Sequence, residues 1–199
     1  MRGKTGGGRM AATGIVLAGG ASRRMGADKA LLPVSGRRMI EVVADRLRGA
    51  FAEVLVSAER GDDYGFLGLE VVPDLEPGRG PIMGICSCLK RAHHDRAAVV
   101  ACDVPRFDAA FLVGLVRELG GRDAVVPVDA DGMPQPTFAA YRRSMVPHLE
   151  RTMAAGRLSI LDALALADVA SVPLGAAARP CNLNTPAEYA AFLAAQREE

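Results

Sequence analysis

Three cations and three glycines crowd one short stretch of the chain. Arg23, Arg24 and Lys29 interleave with Gly19, Gly20 and Gly26 in the run A-G-G-A-S-R-R-M-G-A-D-K. Glycine permits a positive φ and lets a ligand approach bare backbone. Guanidinium forks, backbone N–H groups and a lysine point charge together suit phosphates. Just before this run stands Ile15-Val16-Leu17-Ala18, a wholly apolar segment that reads as a buried strand. The expectation is a polyanion-binding loop leaving a strand end. It is neither of two common phosphate loops. The dinucleotide fingerprint needs G-x-G-x-x-G, whereas the spacing here is G-G-x5-G. Gly3-Lys4-Thr5 resembles the end of a Walker loop, but no strand and no earlier glycine precede it.

Other chemistry-bearing residues follow apolar runs in the same way. Asp103 comes just after Ala97–Ala101 in A-C-D-V-P. A carboxylate there suits Mg²⁺, a hard cation that takes oxygen from carboxylates and phosphates. It equally suits a turn or helix cap. Asp74 follows Leu69–Val72 in V-V-P-D-L-E-P-G-R-G-P-I-M-G, a carboxylate just past another apolar run. Asn182 and Asn184 can donate and accept toward a heterocycle or a phosphate. They sit beside a helix start, with Thr185 as N-cap, Pro186 at the first helical position and Glu188 completing a capping box. His93-His94 has no Cys or His at zinc spacing. Asp129-x-Asp131-Gly132 starts like a calcium loop but lacks its closing glutamate. Ser22 has no adjacent base to make it a nucleophile.

The elements that must hold these residues alternate. Apolar strand-like runs fall at Ile15–Ala18, Glu53–Ser57, Leu69–Val72, Ala97–Ala101 and Asp123–Val128. Helical stripes fall at Arg38–Ala50, Ile82–Arg91 and Asp108–Leu119, the last with Asp108 as N-cap. Beyond Ala130 the expected order is a strand at Gln135–Tyr141, helices at Met145–Ala155 and Ile160–Leu166, a strand at Val169–Val172 and a helix at Ala187–Ala195. Alternating strands and helices with strands apolar on both faces predict a doubly wound, mostly parallel α/β sheet. Ligands in such sheets sit beyond the carboxyl ends of the strands, where the charged motifs fall. No linker divides the chain, so one domain is expected over residues 13–199 behind a disordered tail, Met1 to Ala12.

Composition narrows the classes. The 199 residues are 50% hydrophobic and 24% charged with a net charge of +1, which argues against bulk binding to nucleic acid or membrane. With 5% aromatics and no Trp there is little to stack single-stranded bases. No apolar run reaches the roughly 18 residues of a membrane span, and no secretory h-region follows the start. A cytoplasmic protein is expected, with Cys86, Cys88, Cys102 and Cys181 as free thiols.

L-A-G-G-x-S-x-R-M-G-x-D-K-x-L-L resembles the nucleotide-binding signature of molybdenum cofactor guanylyltransferases. The segment around Asp74 resembles the family's D-x-x-P-G-x-G-P-L-x-G with Ile82 for Leu, and Gln135-Pro136-Thr137 and C-N-L-N-T-P-A-E also match. The resemblance implies a Rossmann-like nucleotidyltransferase fold in three α/β/α layers. It implies a GTP site at Leu17, Ala18, Gly19, Gly20, Lys29, Ser57, Asp74 and Asp103, with Ser57 standing where relatives often carry Asn. Asp103 would be the Mg²⁺ ligand, and Arg24, Lys29 and Asp103 would be catalytic. Gln135, Asn182 and Asn184 would face the acceptor, molybdopterin. The implied reaction moves GMP from GTP to the molybdopterin phosphate, with partners among cofactor-biosynthesis or molybdoenzyme-maturation proteins. Two other readings fit the same motifs: nucleotidyl transfer from CTP or another triphosphate, and GTP binding without catalysis. CTP-using relatives usually carry L-A-A-G where this chain has Leu17-Ala18-Gly19-Gly20.

Overall fold

Strands that are apolar on both faces need cover on both sides, and the helices of this chain supply it. The computed structural model describes residues 8–18, 28–60, 64–175, 178, 180–183 and 185–195. Strand β1 (Met10–Leu17) is followed by a one-turn 3-10 helix (Lys29–Leu31) and a ribbon of β2 (Pro33–Val34) and β3 (Arg37–Arg38). Then come α1 (Met39–Ala50), β4 (Phe51–Ala58), β5 (Glu70–Pro73), α2 (Pro81–Arg91), β6 (Arg96–Ala101) and α3 (Ala109–Glu118). The remainder is β7 (Ala124–Val128), β8 (Phe138–Arg142), α4 (Val146–Ala154), α5 (Ile160–Leu164), β9 (Val169–Pro173) and α6 (Pro186–Ala195).

Seven strands form one sheet in the order β5-β4-β1-β6-β8-β7-β9. Neighbours pair in parallel except at β8, which runs antiparallel to both β6 and β7. Side-chain alternation splits the core into two layers. Val16, Ala98 and Val100 face α1 and α3, packing with Ile40, Leu47, Leu112 and Val116. Ile15, Leu17, Ala97 and Val99 face α2, α4 and α5, packing with Ile82, Leu89, Leu149 and Ile160. This is the expected doubly wound, three-layer arrangement.

Local chemistry sets the helix starts. Asp108 accepts the Ala110 N–H at 2.8 Å, which makes it the N-cap of α3. Thr185 and Glu188 form the reciprocal capping box of α6, at 2.8 and 3.2 Å. Helix α2 begins at Pro81 after Gly80, whose φ of +71° suits glycine.

Two expectations need correction. The disordered tail expected over Met1 to Ala12 does not hold for Met10 to Ala12, which belong to β1; Met10 lies opposite Phe51 and Ala12 is fully buried. Alanine, threonine and glycine in this stretch carry no apolar alternation to mark a strand, and Ala11 stays exposed. The strand expected from Gln135 starts instead at Phe138. The Gln135 N–H bonds Pro127 O at 2.8 Å and Pro136 has no N–H to give, so the segment is a loop.

Gly84, inside α2, lets the helix approach β4 closely. A Cβ there would stand 2.2 Å from Ser57 Oγ and 3.3 Å from Ser57 Cβ. Gly84→Ala is expected to destabilise the fold by about 1–3 kcal/mol through overpacking, seen as a lower urea midpoint. Adding Ser57→Ala should recover part of that loss.

Candidate active site

Register brings the chemistry together. Leu17 at the end of β1 lies opposite Ser57 on β4 and Ala101 on β6. Three parallel strands therefore end level. Just beyond them, Ala18 N donates to Ser57 O at 2.9 Å and Cys102 N to Leu17 O at 2.9 Å. Asp74 N donates to Ala58 O at 2.9 Å, which carries the pairing of β4 and β5 one residue further. Leu17, Ala18, Ser57, Asp74 and Asp103 thus share the carboxyl edge of the sheet, where such folds bind ligands.

Lys29 reaches the same edge. Its Nζ stands 3.9 Å from Asp103 Oδ2, with the two side chains 13% and 21% exposed. The lysine sits on the 3-10 helix that Asp28 caps, Asp28 Oδ1 accepting the Ala30 N–H at 2.9 Å. Asp28 Oδ2 accepts the Tyr64 hydroxyl at 2.7 Å, and that hydroxyl also lies 3.4 Å from Ala18 O. Tyr64, 4% exposed, thereby ties the end of β1 to the base of Lys29. Nothing in the stretch R-G-D-D-Y-G marked Tyr64 in advance, since a lone aromatic among turn residues carries no pattern.

Asp103 titrates above the ordinary carboxylate range. Burial is the main cause, Lys29 opposes it, and the Glu188 charge adds to it. A desolvated carboxylate favours a cation beside it. Among the described residues no group of three or more His, Cys, Asp or Glu is arranged to hold a metal alone. A single carboxylate does fit a hard divalent ion whose other oxygens come from phosphate and water.

Asp74 is the second desolvated carboxylate. Burial pushes it up to about 6, the Glu59 charge adds to this, and the Ser57 hydroxyl pulls it back. Its Oδ1 is buried without a hydrogen-bond partner among the described residues. An orphaned buried acceptor is costly, on the order of 1–3 kcal/mol, and a ligand N–H or O–H would relieve it. Ser57 is 1% exposed, so its side chain bears on the site through Asp74.

Gln135 and Asn182 lie toward the other side of Asp103. With Asp129 and Glu188 they line a cavity of about 380 Å³. The segment that carries Asn182 is anchored to the carboxyl edge of the sheet, Leu183 N donating to Asp103 O at 3.0 Å. Sequence reasoning set Asp129 aside as an incomplete calcium loop and took Glu188 only as a cap. Gly19, Gly20, Arg24 and Asn184 lie outside the described residues, as does the rest of 19–27. His93 is exposed and pairs with Glu53.

A doubly wound sheet with an aspartate and a lysine converging on its carboxyl edge has the build of a nucleotidyltransferase. Residues 14–169 match the MobA-like NTP transferase domain, and the chain belongs to that family. It is 40% identical over 151 residues to the probable molybdenum cofactor guanylyltransferase of Pelotomaculum thermopropionicum, covering 76% of this chain and 73% of the relative. The probable molybdenum cofactor guanylyltransferase of Carboxydothermus hydrogenoformans is 32% identical over 188 residues, covering 91% and 94%. Among solved structures, molybdopterin-guanine dinucleotide biosynthesis protein A from Archaeoglobus fulgidus superposes with a TM-score of 0.80 at 25% identity, over 94% of this chain and 100% of that one.

Lys29→Ala is expected to lower kcat/KM by a factor equivalent to about 2–4 kcal/mol, the scale of one preorganised electrostatic contact. Tyr64→Phe leaves the lysine in place and releases Asp28, so it should lower kcat by about tenfold or less. Equal kcat in Tyr64→Phe and wild type would remove the tyrosine from the positioning of Lys29.

Asp74 makes a prediction about pH. In the fold it keeps its proton up to about pH 6, whereas its ordinary value is 3.8. The folded state binds the extra proton between those values, so Asp74 lowers stability as pH rises through that window. Asp74→Asn is expected to gain stability relative to wild type above pH 6 and to match it near pH 4, in denaturation series at each pH.

Proposed function

We propose that this protein is a molybdenum cofactor guanylyltransferase, transferring GMP from GTP to the terminal phosphate of molybdopterin with release of pyrophosphate. The observation that carries this reading is the Lys29–Asp103 pair at 3.9 Å, beside the carboxyl edge where β1 and β6 end level. The relatives named guanylyltransferases support the choice of substrates.

An acceptor phosphate oxygen attacks the α-phosphorus of GTP, the bond from that phosphorus to the bridging oxygen breaks, and pyrophosphate leaves with the electron pair. The protein's share is positioning and charge neutralisation. Lys29 offers its ammonium to the triphosphate. Arg24, in the cationic loop, grips the leaving pyrophosphate. The loop backbone at Gly19 and Gly20, with Leu17 and Ala18, holds the nucleotide against the strand end. Asp74 accepts a nucleotide hydrogen bond on its orphan oxygen, and Ser57 steadies that carboxylate. Asp103 would hold a divalent ion, Mg²⁺ in this proposal, which when bound offsets phosphate charge. Gln135, Asn182 and Asn184 meet the acceptor. No helix among the described residues is long and apolar enough to cross a membrane.

The test is pyrophosphate release with molybdopterin present, compared across GTP, CTP and ATP. Release is expected with GTP, and Asp103→Asn should abolish it while leaving the fold intact by circular dichroism. Preference for CTP would overturn the guanylyl assignment. Turnover of Asp103→Asn near wild type at saturating Mg²⁺ would overturn the role of Asp103.

A further inference from the structure

The cavity that Asp129, Gln135, Asn182 and Glu188 line is rich in hydrogen-bond acceptors, and the Asn182 amide can donate as well as accept. Asp129, at the end of β7, accepts the N–H groups of Asp131 and Met133 on Oδ1, at 3.0 and 2.9 Å. Its Oδ2 accepts the Gln135 side-chain Nε2 at 3.0 Å. The same Nε2 bonds Met133 O at 3.4 Å. An ionised carboxylate can only accept, so Asp129 compels the Gln135 amide to turn its NH₂ group inward. Both hydrogens of that group go to protein acceptors, and the carbonyl oxygen is what the amide has left for a ligand. Glu188 adds a carboxylate to the same space, and no lysine or arginine is among the described residues that line it.

We propose that Asp129 is a positioning residue that fixes Gln135 as a hydrogen-bond acceptor, and that the cavity thereby selects the N–H and amino edge of a pterin. This rests on the transfer reaction above, in which the acceptor is a pterin carrying a phosphate. Recesses of this polarity favour a neutral heterocycle rich in donors and disfavour phosphate. Guanine presents the same amino-pyrimidinone edge, but the sheet order separates the two. Ala18, Ser57 and Asp74 follow or end β1, β4 and β5, the cavity lies by β7 and β9, and Asp103 follows β6 between them. A pterin in the cavity directs its phosphate back toward Lys29 and Asp103. The bond from Leu183 N to Asp103 O at 3.0 Å ties the segment of Asn182 to that edge.

The test uses equilibrium titration with 6-hydroxymethylpterin, read by its fluorescence, and separately with GTP. The proteins are wild type, Asp129→Asn, and Asp129→Asn combined with Gln135→Glu. Asparagine keeps an oxygen for the Asp131 and Met133 N–H groups but turns its own NH₂ toward Gln135. The glutamine amide must then flip and meet the pterin donors with donors. Pterin affinity is expected to fall roughly tenfold in the single variant and to return in the double variant, where a carboxylate accepts on both sides. GTP affinity should stay the same in all three. Equal pterin affinity throughout, no pterin binding by wild type, or a loss the double variant does not regain would each overturn the proposal. So would a parallel loss of GTP affinity, which would assign the cavity to guanine. The expected pattern supports the role of Asp129 even if wild type transfers no GMP to molybdopterin, a result that would refute the reaction alone.

Discussion

Parallel pairing of β1 with β4 and β6 is the constraint on which the rest depends. Because Leu17 stands level with Ser57 and Ala101, every residue placed one or two positions past those ends arrives at one edge. A slip of one residue in either pair would exchange the side chains packed under α1 and α3 with those packed under α2, α4 and α5. It would also separate Asp103 from Lys29. The same register that buries Ile15 and Val16 completely therefore also assembles the charged edge.

That edge is made of carboxylates under strain from desolvation. Asp103 and Asp74 are both raised chiefly by burial, and each has partial compensation, Lys29 for one and the Ser57 hydroxyl for the other. Burying charge without full pairing costs stability. In this fold the cost falls where a bound nucleotide and its cation would relieve it, and such perturbed groups in a ligand-binding edge are a mark of function. Gly84 belongs to the same arrangement. Its missing side chain gives Ser57 the room to stay beside Asp74.

The antiparallel strand β8 gives the second half of the sheet a different task. It lets the chain turn back at the carboxyl edge between Val128 and Phe138, so a loop of Asp129 to Thr137 borders the cavity. Asp129 holds that loop by three hydrogen bonds and leaves Gln135 with its oxygen to offer. In the proposed reaction the triphosphate lies on one side of Asp103 and a donor-rich heterocycle on the other.

The sequence by itself determined the alternation of strands and helices, the doubly wound class, the caps at Asp108 and Thr185, and the choice of Lys29, Asp74 and Asp103 as the residues to watch. Those signals are local: apolar runs, capping residues and charges next to strand ends need no knowledge of distant partners. Only the tertiary structure decided that Met10 to Ala12 are strand, because the pairing of Met10 with Phe51 and the burial of Ala12 depend on β4 and the core layer, not on a pattern in their own side chains. It also decided which groups Tyr64, Ser57 and Asp129 meet. Each meets a residue far away or across a turn, Tyr64 meeting Asp28, Ser57 meeting Asp74 and Asp129 meeting Gln135. A hydrogen bond between side chains leaves no periodicity in the chain, so it becomes visible once folding has brought the two groups together.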